Sequence, residues 1–158
     1  MASSVSGIWA IDIGSNALKA LHLVEGDEGL EVLAFDFIEH VRVLTGEGLS
    51  REEQEKILNK SIHTFLERND IGNTPLAVSL AGHNSFARFI KLPPVEDKRI
   101  PEIVQFEAVQ QIPFEINEVE WDWQLMENPY SDETEVGLFA VKNEILNELM
   151  DRFSKEHT

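Results

Sequence analysis

The sequence predicts an α/β protein in which a βββαβ unit is followed by a smaller α+β unit. Three observations carry this prediction: three apolar runs joined by short connections, an amphipathic helix followed by a buried strand, and a later strand with strict two-residue alternation. The chain has 158 residues, of which 42% are hydrophobic and 27% charged. That composition is typical of a globular protein with one domain or two small subdomains.

The first three apolar runs predict a meander of antiparallel strands over residues 8–13, 17–24 and 30–38. The connections between them are too short for the crossover that a parallel pair needs. We therefore expect the three strands to pair in sequence order.

A helix is predicted over residues 51–68, and a fourth strand over residues 76–80. Ser50 stands three residues before Glu53, which is the spacing of a capping box. Asn69 and Gly72 are typical of the end of a helix. The apolar face of this helix is expected to hold Leu58, Ile62, Phe65 and Leu66.

A second unit is predicted to begin at Ala81. A strand over residues 85–92 ends at Pro93 and Pro94. A helix should then start between residues 98 and 101, because Pro101 is tolerated in its first turn. This helix ends before Pro113, and its apolar residues are Ile103, Val104, Phe106 and Ile112.

Strict alternation over residues 119–126 predicts a strand with one buried face. The residues expected on that face are Val119, Trp121, Trp123 and Leu125. After a turn-rich segment at 128–134, residues 136–141 should form the hairpin partner. An amphipathic last helix is expected to bury Ile145, Leu146, Leu149, Met150 and Phe153.

The chain is acidic, with 13 Lys and Arg against 29 Asp and Glu and a net charge of −16. This charge repels phosphate backbones and anionic lipid headgroups, so it disfavours nucleic-acid binding and a role at the membrane surface. Direct membrane insertion is not expected, because the apolar run at residues 8–11 is too short for a membrane span. The absence of cysteine excludes disulfides, thiolate zinc sites and cysteine nucleophiles. No signal-peptide pattern is present at the N-terminus, so the cytoplasm is the expected location.

The turn between the first two strands carries the strongest chemical signal. Gly14 allows close approach of a ligand, and Ser15 and Asn16 offer hydroxyl, amide and backbone donors. Asp12 could hold Mg²⁺ through water, and Lys19 could reach an anionic oxygen. These features are typical of a phosphate-binding turn, and the pattern alone also fits an ordinary β-turn.

Other candidate sites are weaker. The five histidines have no metal-ligand spacing, and the acidic turns at 25–31 and 132–135 lack the alternating ligands of a calcium loop. Trp121 and Trp123 have no basic neighbours, which favours a core role over base stacking. No hydrolase motif is present, and no catalytic residue is assigned.

Several motifs resemble those of a known family. Residues 9–19, Trp-Ala-Ile-Asp-Ile-Gly-Ser-Asn-Ala-Leu-Lys, resemble the first phosphate motif of the actin-like ATPase superfamily. Later segments are similar, in order, to the type IV pilus assembly protein PilM family and its relative FtsA: Leu80-Ala-Gly-His83, Lys91-Leu-Pro93, Phe106-Glu-Ala108, Gln111-Ile-Pro-Phe114 and Val119-Glu-Trp-Asp-Trp-Gln124. The resemblance covers nearly the whole chain.

The resemblance implies half of an actin-like ATPase (ribonuclease H-like) domain with an inserted α+β subdomain. Residues 1–80 would form the first part of the actin-like subdomain, and residues 81–141 would form the insertion. Residues 142–158 would be a helix that returns to the actin-like subdomain. We expect the chain to be the N-terminal part of a longer protein.

The resemblance also implies ATP and Mg²⁺ as cofactors of the full-length protein. The phosphate-side residues carried over are Asp12, Gly14, Ser15, Asn16 and Lys19, and Asp12 would hold Mg²⁺ through water. Asn16 stands where relatives commonly have a small hydroxyl residue. The second phosphate motif and the adenosine motif belong to the other half of such proteins, so ATP hydrolysis is left open and this chain should bind ATP weakly or not at all.

The implied partner is the N-terminal peptide of a PilN-like inner-membrane protein, which would keep this cytoplasmic protein peripheral to the membrane. A seam between two small units joined by Gly- and Pro-containing crossings is a favourable binding groove, unless direct packing closes it. The expected groove residues are Ala81, Gly82, His83, Asn84, Pro93, Pro94 and Val95. Self-association is left open as a further interaction. The alternative functions are those of an FtsA-like division protein and of an actin-fold sugar kinase or chaperone-type ATPase.

Overall fold

The computed structural model describes residues 7–126 and 133–154. These residues contain two β-sheets and three α-helices. The chain divides into two compact units. Among the described residues, the first unit holds 7–81 and 151–154, and the second holds the stretch that begins at Gly82 and ends at Met150. The assignment of residues 81–141 to an inserted subdomain stays a prediction.

The first unit is built on a four-stranded sheet with the order β3-β2-β1-β4. The first three strands pair antiparallel in sequence order, which confirms the predicted meander, and β4 lies parallel to β1. The strands are β1 (Gly7–Ile13), β2 (Ala17–Gly26), β3 (Gly29–Glu39) and β4 (Leu76–Ser79).

Helix α1 (Arg51–Arg68) begins at the predicted capping box. The Ser50 hydroxyl accepts a hydrogen bond from the backbone N–H of Glu53, and the Glu53 carboxylate accepts one from the backbone N–H of Ser50. Ile62 and Phe65 are buried as predicted, whereas Leu58 and Leu66 are half-buried. The buried face of α1 is thus rotated slightly and also includes Ile57 and Ser61.

Helix α1 packs against one face of the four-stranded sheet, and the other face is uncovered among the described residues. We call it the open face. Phe35 and Phe37 on β3 are 77% and 58% exposed, and Leu21, the partner of Phe35 on β2, is 42% exposed. Their neighbours on the opposite face, Leu18 and Ile38, are buried. The strands therefore carry apolar side chains on both faces, although only one face is covered among the described residues.

The second unit contains a three-stranded antiparallel sheet with the order β5-β7-β6, helix α2 (Ile100–Gln111) and the first two turns of the last helix. Helix α2 begins within the predicted interval, with Pro101 in its first turn. The strands are β5 (Phe86–Lys91), β6 (Val119–Met126) and β7 (Glu135–Lys142). The core between helix and sheet holds Leu92, Ile100, Val104, Ala108, Ile112, Val119, Val136, Leu138 and Ala140.

Three large apolar residues in this part of the chain are exposed, and two of them, Leu125 and Met150, were predicted to be buried. Phe106 on α2 lies opposite the buried stripe formed by Ile100, Val104 and Ala108, because two residues beyond Val104 correspond to about 200° of helix rotation. Leu125 lies on the predicted face of β6 but near the end of the strand. Alternation predicts which face of a strand is buried, and it does not predict how much of the strand's length another element covers. Met150 is also exposed.

The two indoles of β6 are half-buried. Trp121 and Trp123 pack against the core of the second unit, as their alternation with Val119 predicted, but neither is fully enclosed. Helix α3 (Asn143–Ser154) buries Leu149 and Phe153 as predicted. The predicted turn at 128–134 lies almost wholly outside the described residues.

Candidate functional site

The turn between β1 and β2 brings the predicted phosphate residues together. Asp12 and Lys19 are directly opposed across the two antiparallel strands. The backbone N–H of Gly14 closes the turn by donating to the carbonyl of Ala17 at 3.0 Å. Gly14, Ser15 and Asn16 therefore form a short loop at one end of the sheet, between the two charged side chains. We call residues 14–16 the phosphate turn.

The three carbonyl groups of the phosphate turn are all bound by the segment that follows β3. The carbonyl of Asn16 accepts from the backbone N–H of His40 at 2.8 Å, and that of Ser15 accepts from the backbone N–H of Leu44 at 2.8 Å. The carbonyl of Gly14 lies 3.2 Å from Nε2 of His40. The turn is thus anchored on its carbonyl side.

Unlike the carbonyl groups of the turn, the N–H groups of Ser15 and Asn16 have no hydrogen-bond partner among the described residues. Ser15 is half-buried and Asn16 is exposed. Successive backbone N–H groups of a turn can converge on an anion. The turn can therefore offer two donors to a phosphate oxygen.

The Asp12 carboxylate is held by two neighbours. Its Oδ1 accepts from the Ser79 hydroxyl at 2.9 Å, and its Oδ2 lies 3.2 Å from Nζ of Lys19. The hydrogen bond from Ser79 and then the one from Lys19 hold the pKa of the Asp12 carboxyl below its usual value. The side chains of Asp12 and Lys19 remain 50% and 57% exposed, so both can still meet a ligand or its metal ion.

His40 is buried behind the phosphate turn, and burial lowers the pKa of its imidazole. Its Nδ1 lies 2.7 Å from the hydroxyl of Ser61 on α1, and its Nε2 faces the Gly14 carbonyl. A carbonyl can only accept a hydrogen bond, so Nε2 must carry the proton. In the neutral ring, Nδ1 then accepts from Ser61, which leaves both ring nitrogens satisfied.

Gly14 does not adopt the left-handed backbone conformation that favours glycine. A Cβ at this position would lie 3.2 Å from the Ala17 carbonyl oxygen, which is a tight contact. Close packing within the turn is therefore a structural reason for glycine here. Its predicted role in admitting a ligand stays a prediction.

Three residues that the sequence analysis did not assign to the site also contribute to it. Ser79 reaches Asp12 because β4 lies parallel to β1 and pairs Ser79 with Asp12. That partner could have been inferred once β4 was placed beside β1. His40 and Ser61 carry no such signal, because they lie 21 positions apart and meet only through the packing of α1 on the sheet.

The residues predicted to line a partner groove lie around the start of the second unit. Ala81 ends the first unit, and residues Gly82–Asn84 form a short 3-10 turn. Gly82, His83, Pro93 and Pro94 are exposed, whereas Ala81, Asn84 and Val95 are half-buried. These exposures leave most of the predicted residues accessible.

Within residues 7–126 and 133–154, no group of three acidic, His or Cys side chains is arranged to hold a metal ion. Beside the phosphate turn, the half-exposed carboxylate of Asp12 could hold a metal ion through water. In the same described part of the chain, no helix has both the length and the apolar character needed to span a membrane.

Comparison with known proteins gives one family match. The model of a family described as type IV pilus assembly protein PilM matches residues 10–156. The solved structure described as the PilM-PilN type IV pilus biogenesis complex is 19% identical with a TM-score of 0.63, and the match covers 93% of this chain and 44% of that chain. No protein with a curated description matches the chain in sequence.

A second solved structure is similar to the chain. It is described as the cytoplasmic domain of EpsL, an inner membrane component of the type II secretion system of Vibrio cholerae. It is 12% identical with a TM-score of 0.53, and the match covers 95% of this chain and 53% of that chain. The two likenesses confirm the predicted α/β fold class with its actin-like fold. The chain spans about half the length of these relatives.

Proposed function

The chain belongs to the type IV pilus assembly protein PilM family, and on that basis we propose that it supplies one wall of an ATP site and part of the surface that recruits a membrane partner. The full-length protein would act in the cytoplasm and stay peripheral to the inner membrane through a PilN-like protein. The observation that carries the ATP proposal is the phosphate turn, in which the carbonyls are anchored and two N–H groups have no acceptor among the described residues.

The chemistry of this end of the sheet fits the phosphates of a nucleotide. The N–H groups of Ser15 and Asn16 would donate to phosphate oxygens, and the half-exposed ammonium of Lys19 would add positive charge. The rest of the chain is strongly acidic, with a net charge of −16. A phosphate group would therefore bind here through local donors rather than through the overall field of the protein.

The Asp12 carboxylate fits an indirect role with Mg²⁺. Both of its oxygens already accept a hydrogen bond, yet a carboxylate has about four acceptor positions, so each oxygen can also accept from a metal-bound water. When bound, Mg²⁺ would neutralise charge on the phosphates. Ser79 and Lys19 fix the carboxylate in place and favour its ionised form.

We predict that the 158-residue chain alone binds Mg-ATP weakly or not at all, whereas the full-length protein binds it. Half of a cleft leaves the phosphate contacts exposed to water, which weakens them. Isothermal titration calorimetry on both proteins under identical conditions tests this expectation. Micromolar affinity of the chain alone would contradict the half-site proposal, and absence of binding by the full-length protein would contradict the ATP proposal itself.

Recruitment of a partner peptide is proposed at residues 81–84 and 93–95, where the chain enters the second unit and where it leaves β5. Family membership and the likeness to a PilM-PilN complex support a PilN-like partner. The net charge of −16 would repel an acidic peptide. The peptide should therefore carry Asn, Gln or basic residues around apolar anchors.

We expect the N-terminal cytoplasmic peptide of the cognate PilN-like protein to shift the NMR signals of residues 81–84 and 93–95. The matched control is the same peptide with its basic residues replaced by glutamate, which should bind more weakly because of charge repulsion. A titration of the labelled chain with each peptide measures both effects. Shifts that are absent, or that are confined to residues 12–19, would contradict this location.

A further inference from the structure

We infer that His40 is a positioning residue for ATP binding, because it fixes the direction in which the phosphate turn presents its N–H groups. The inference rests on the proposed ATP site and extends it to a residue that contacts no ligand. His40 directly follows β3 and is buried, so it acts from behind the turn.

The planarity of the peptide bond connects His40 to the donors of the turn. In a trans peptide, the carbonyl of one residue and the N–H of the next lie in one plane and point in opposite directions. The imidazole of His40 binds the Gly14 carbonyl, so it orients the N–H of Ser15. The backbone N–H of Leu44 binds the Ser15 carbonyl and orients the N–H of Asn16 in the same way.

The two donors therefore depend on different anchors. The N–H of Ser15 is oriented by a side chain, the imidazole of His40. The N–H of Asn16 is oriented by the backbone N–H of Leu44, which a side-chain substitution does not remove. A change at position 40 should consequently disturb the N–H of Ser15 more than that of Asn16. If His40 only filled space in the core, its substitution would affect the N–H groups of Ser15 and Asn16 to the same extent.

The second contact of His40 links the turn to helix α1. With Nε2 donating to Gly14, Nδ1 accepts from the hydroxyl of Ser61 at 2.7 Å. Ser61 also lies 3.3 Å from the carbonyl of Ile57, so its hydroxyl can turn there if the imidazole becomes charged. The contact with Gly14 is thus retained in both protonation states of the ring.

The test uses two polar substitutions that differ by one methylene group. The amide of His40→Gln can extend to the position of Nε2 and still donate to the Gly14 carbonyl. The shorter amide of His40→Asn matches only the position of Nδ1 and keeps the contact with Ser61. Substitution of an exposed histidine on α1, His63→Phe, is the control for a change of histidine away from the turn.

In the 158-residue chain, we expect His40→Asn to shift the Ser15 amide signal more than that of Asn16, while His40→Gln stays close to the parent. In the full-length protein, His40→Asn should weaken Mg-ATP binding about tenfold, which corresponds to one hydrogen bond of ordinary strength. His40→Gln and His63→Phe should stay within about threefold of the parent protein. If His40→Asn does not fold, His40→Phe, which keeps the ring volume without donors, replaces it in both measurements.

The outcomes separate this inference from the proposed function. Equal effects on Ser15 and Asn16, or unchanged Ser15 signals, would overturn the positioning role. Unchanged ATP affinity in His40→Asn, or in His40→Phe where it replaces that variant, would also overturn it, provided that the full-length parent protein binds ATP. If the full-length parent protein does not bind ATP but the Ser15 amide responds as expected, the ATP proposal fails while the orienting contact of His40 stands.

Discussion

Replacing Phe65 with alanine is expected to lower the free energy of unfolding by about 3–5 kcal/mol. The Phe65 side chain is fully buried, and its ring meets that of Trp9 edge to face with 5.2 Å between the centroids. Trp9 in turn stacks on His22, so the cavity would open at the centre of the contact between α1 and the sheet. Urea denaturation followed by circular dichroism measures the change.

The matched control is Phe35→Ala in the same unit. Phe35 is 77% exposed on the open face of the sheet, so its loss should change the free energy of unfolding by about 0.5 kcal/mol or less. The two substitutions remove the same atoms, one set from a buried site on α1 and the other from an exposed site on β3. A cost for Phe35→Ala as large as that for Phe65→Ala would mean that the open face is covered in solution.

The second large effect is expected from Asp12→Asn in the full-length protein. The asparagine oxygen can still accept from Ser79, but the charge that attracts metal-bound water is lost. Partners that hold a metal through its outer shell typically contribute about 10- to 100-fold to metal affinity. We therefore expect Mg²⁺ to strengthen ATP binding in the parent protein and to have little effect in this variant, as measured by titration with Mg²⁺ and with EDTA.

Two further measurements make this prediction specific. In EDTA, Asp12→Asn should bind ATP as well as the parent protein or better, because a negative charge near the phosphates has been removed. Asp27→Asn, which makes the same charge change in the exposed turn between β2 and β3, should leave the Mg²⁺ dependence intact. An Asp12→Asn protein that retains the full Mg²⁺ effect would show that the carboxylate is only structural.

The candidate site could be predicted in part because its residues are close in sequence. Asp12 and Lys19 flank a tight turn, and antiparallel pairing places such positions opposite each other. The contributions of Ser79, His40 and Ser61 could not be read from spacing, since each depends on how separate elements pack. The donors that bind the carbonyls of the turn became visible only with the hydrogen bonds of the folded chain.

The sequence alone determined the type and order of the elements. The periodicities of strands and helices, the capping box at Ser50 and the shortness of the connections are local properties, and the meander, α1 and the β6–β7 hairpin follow from them. The tertiary structure decided which apolar residues are covered. Phe106, Leu125 and Phe35 have the side chains of core residues yet are exposed among the described residues, because burial depends on which element lies against a face and how far it extends. The same dependence on packing placed His40 behind the phosphate turn, where it could anchor a carbonyl that no local pattern identifies.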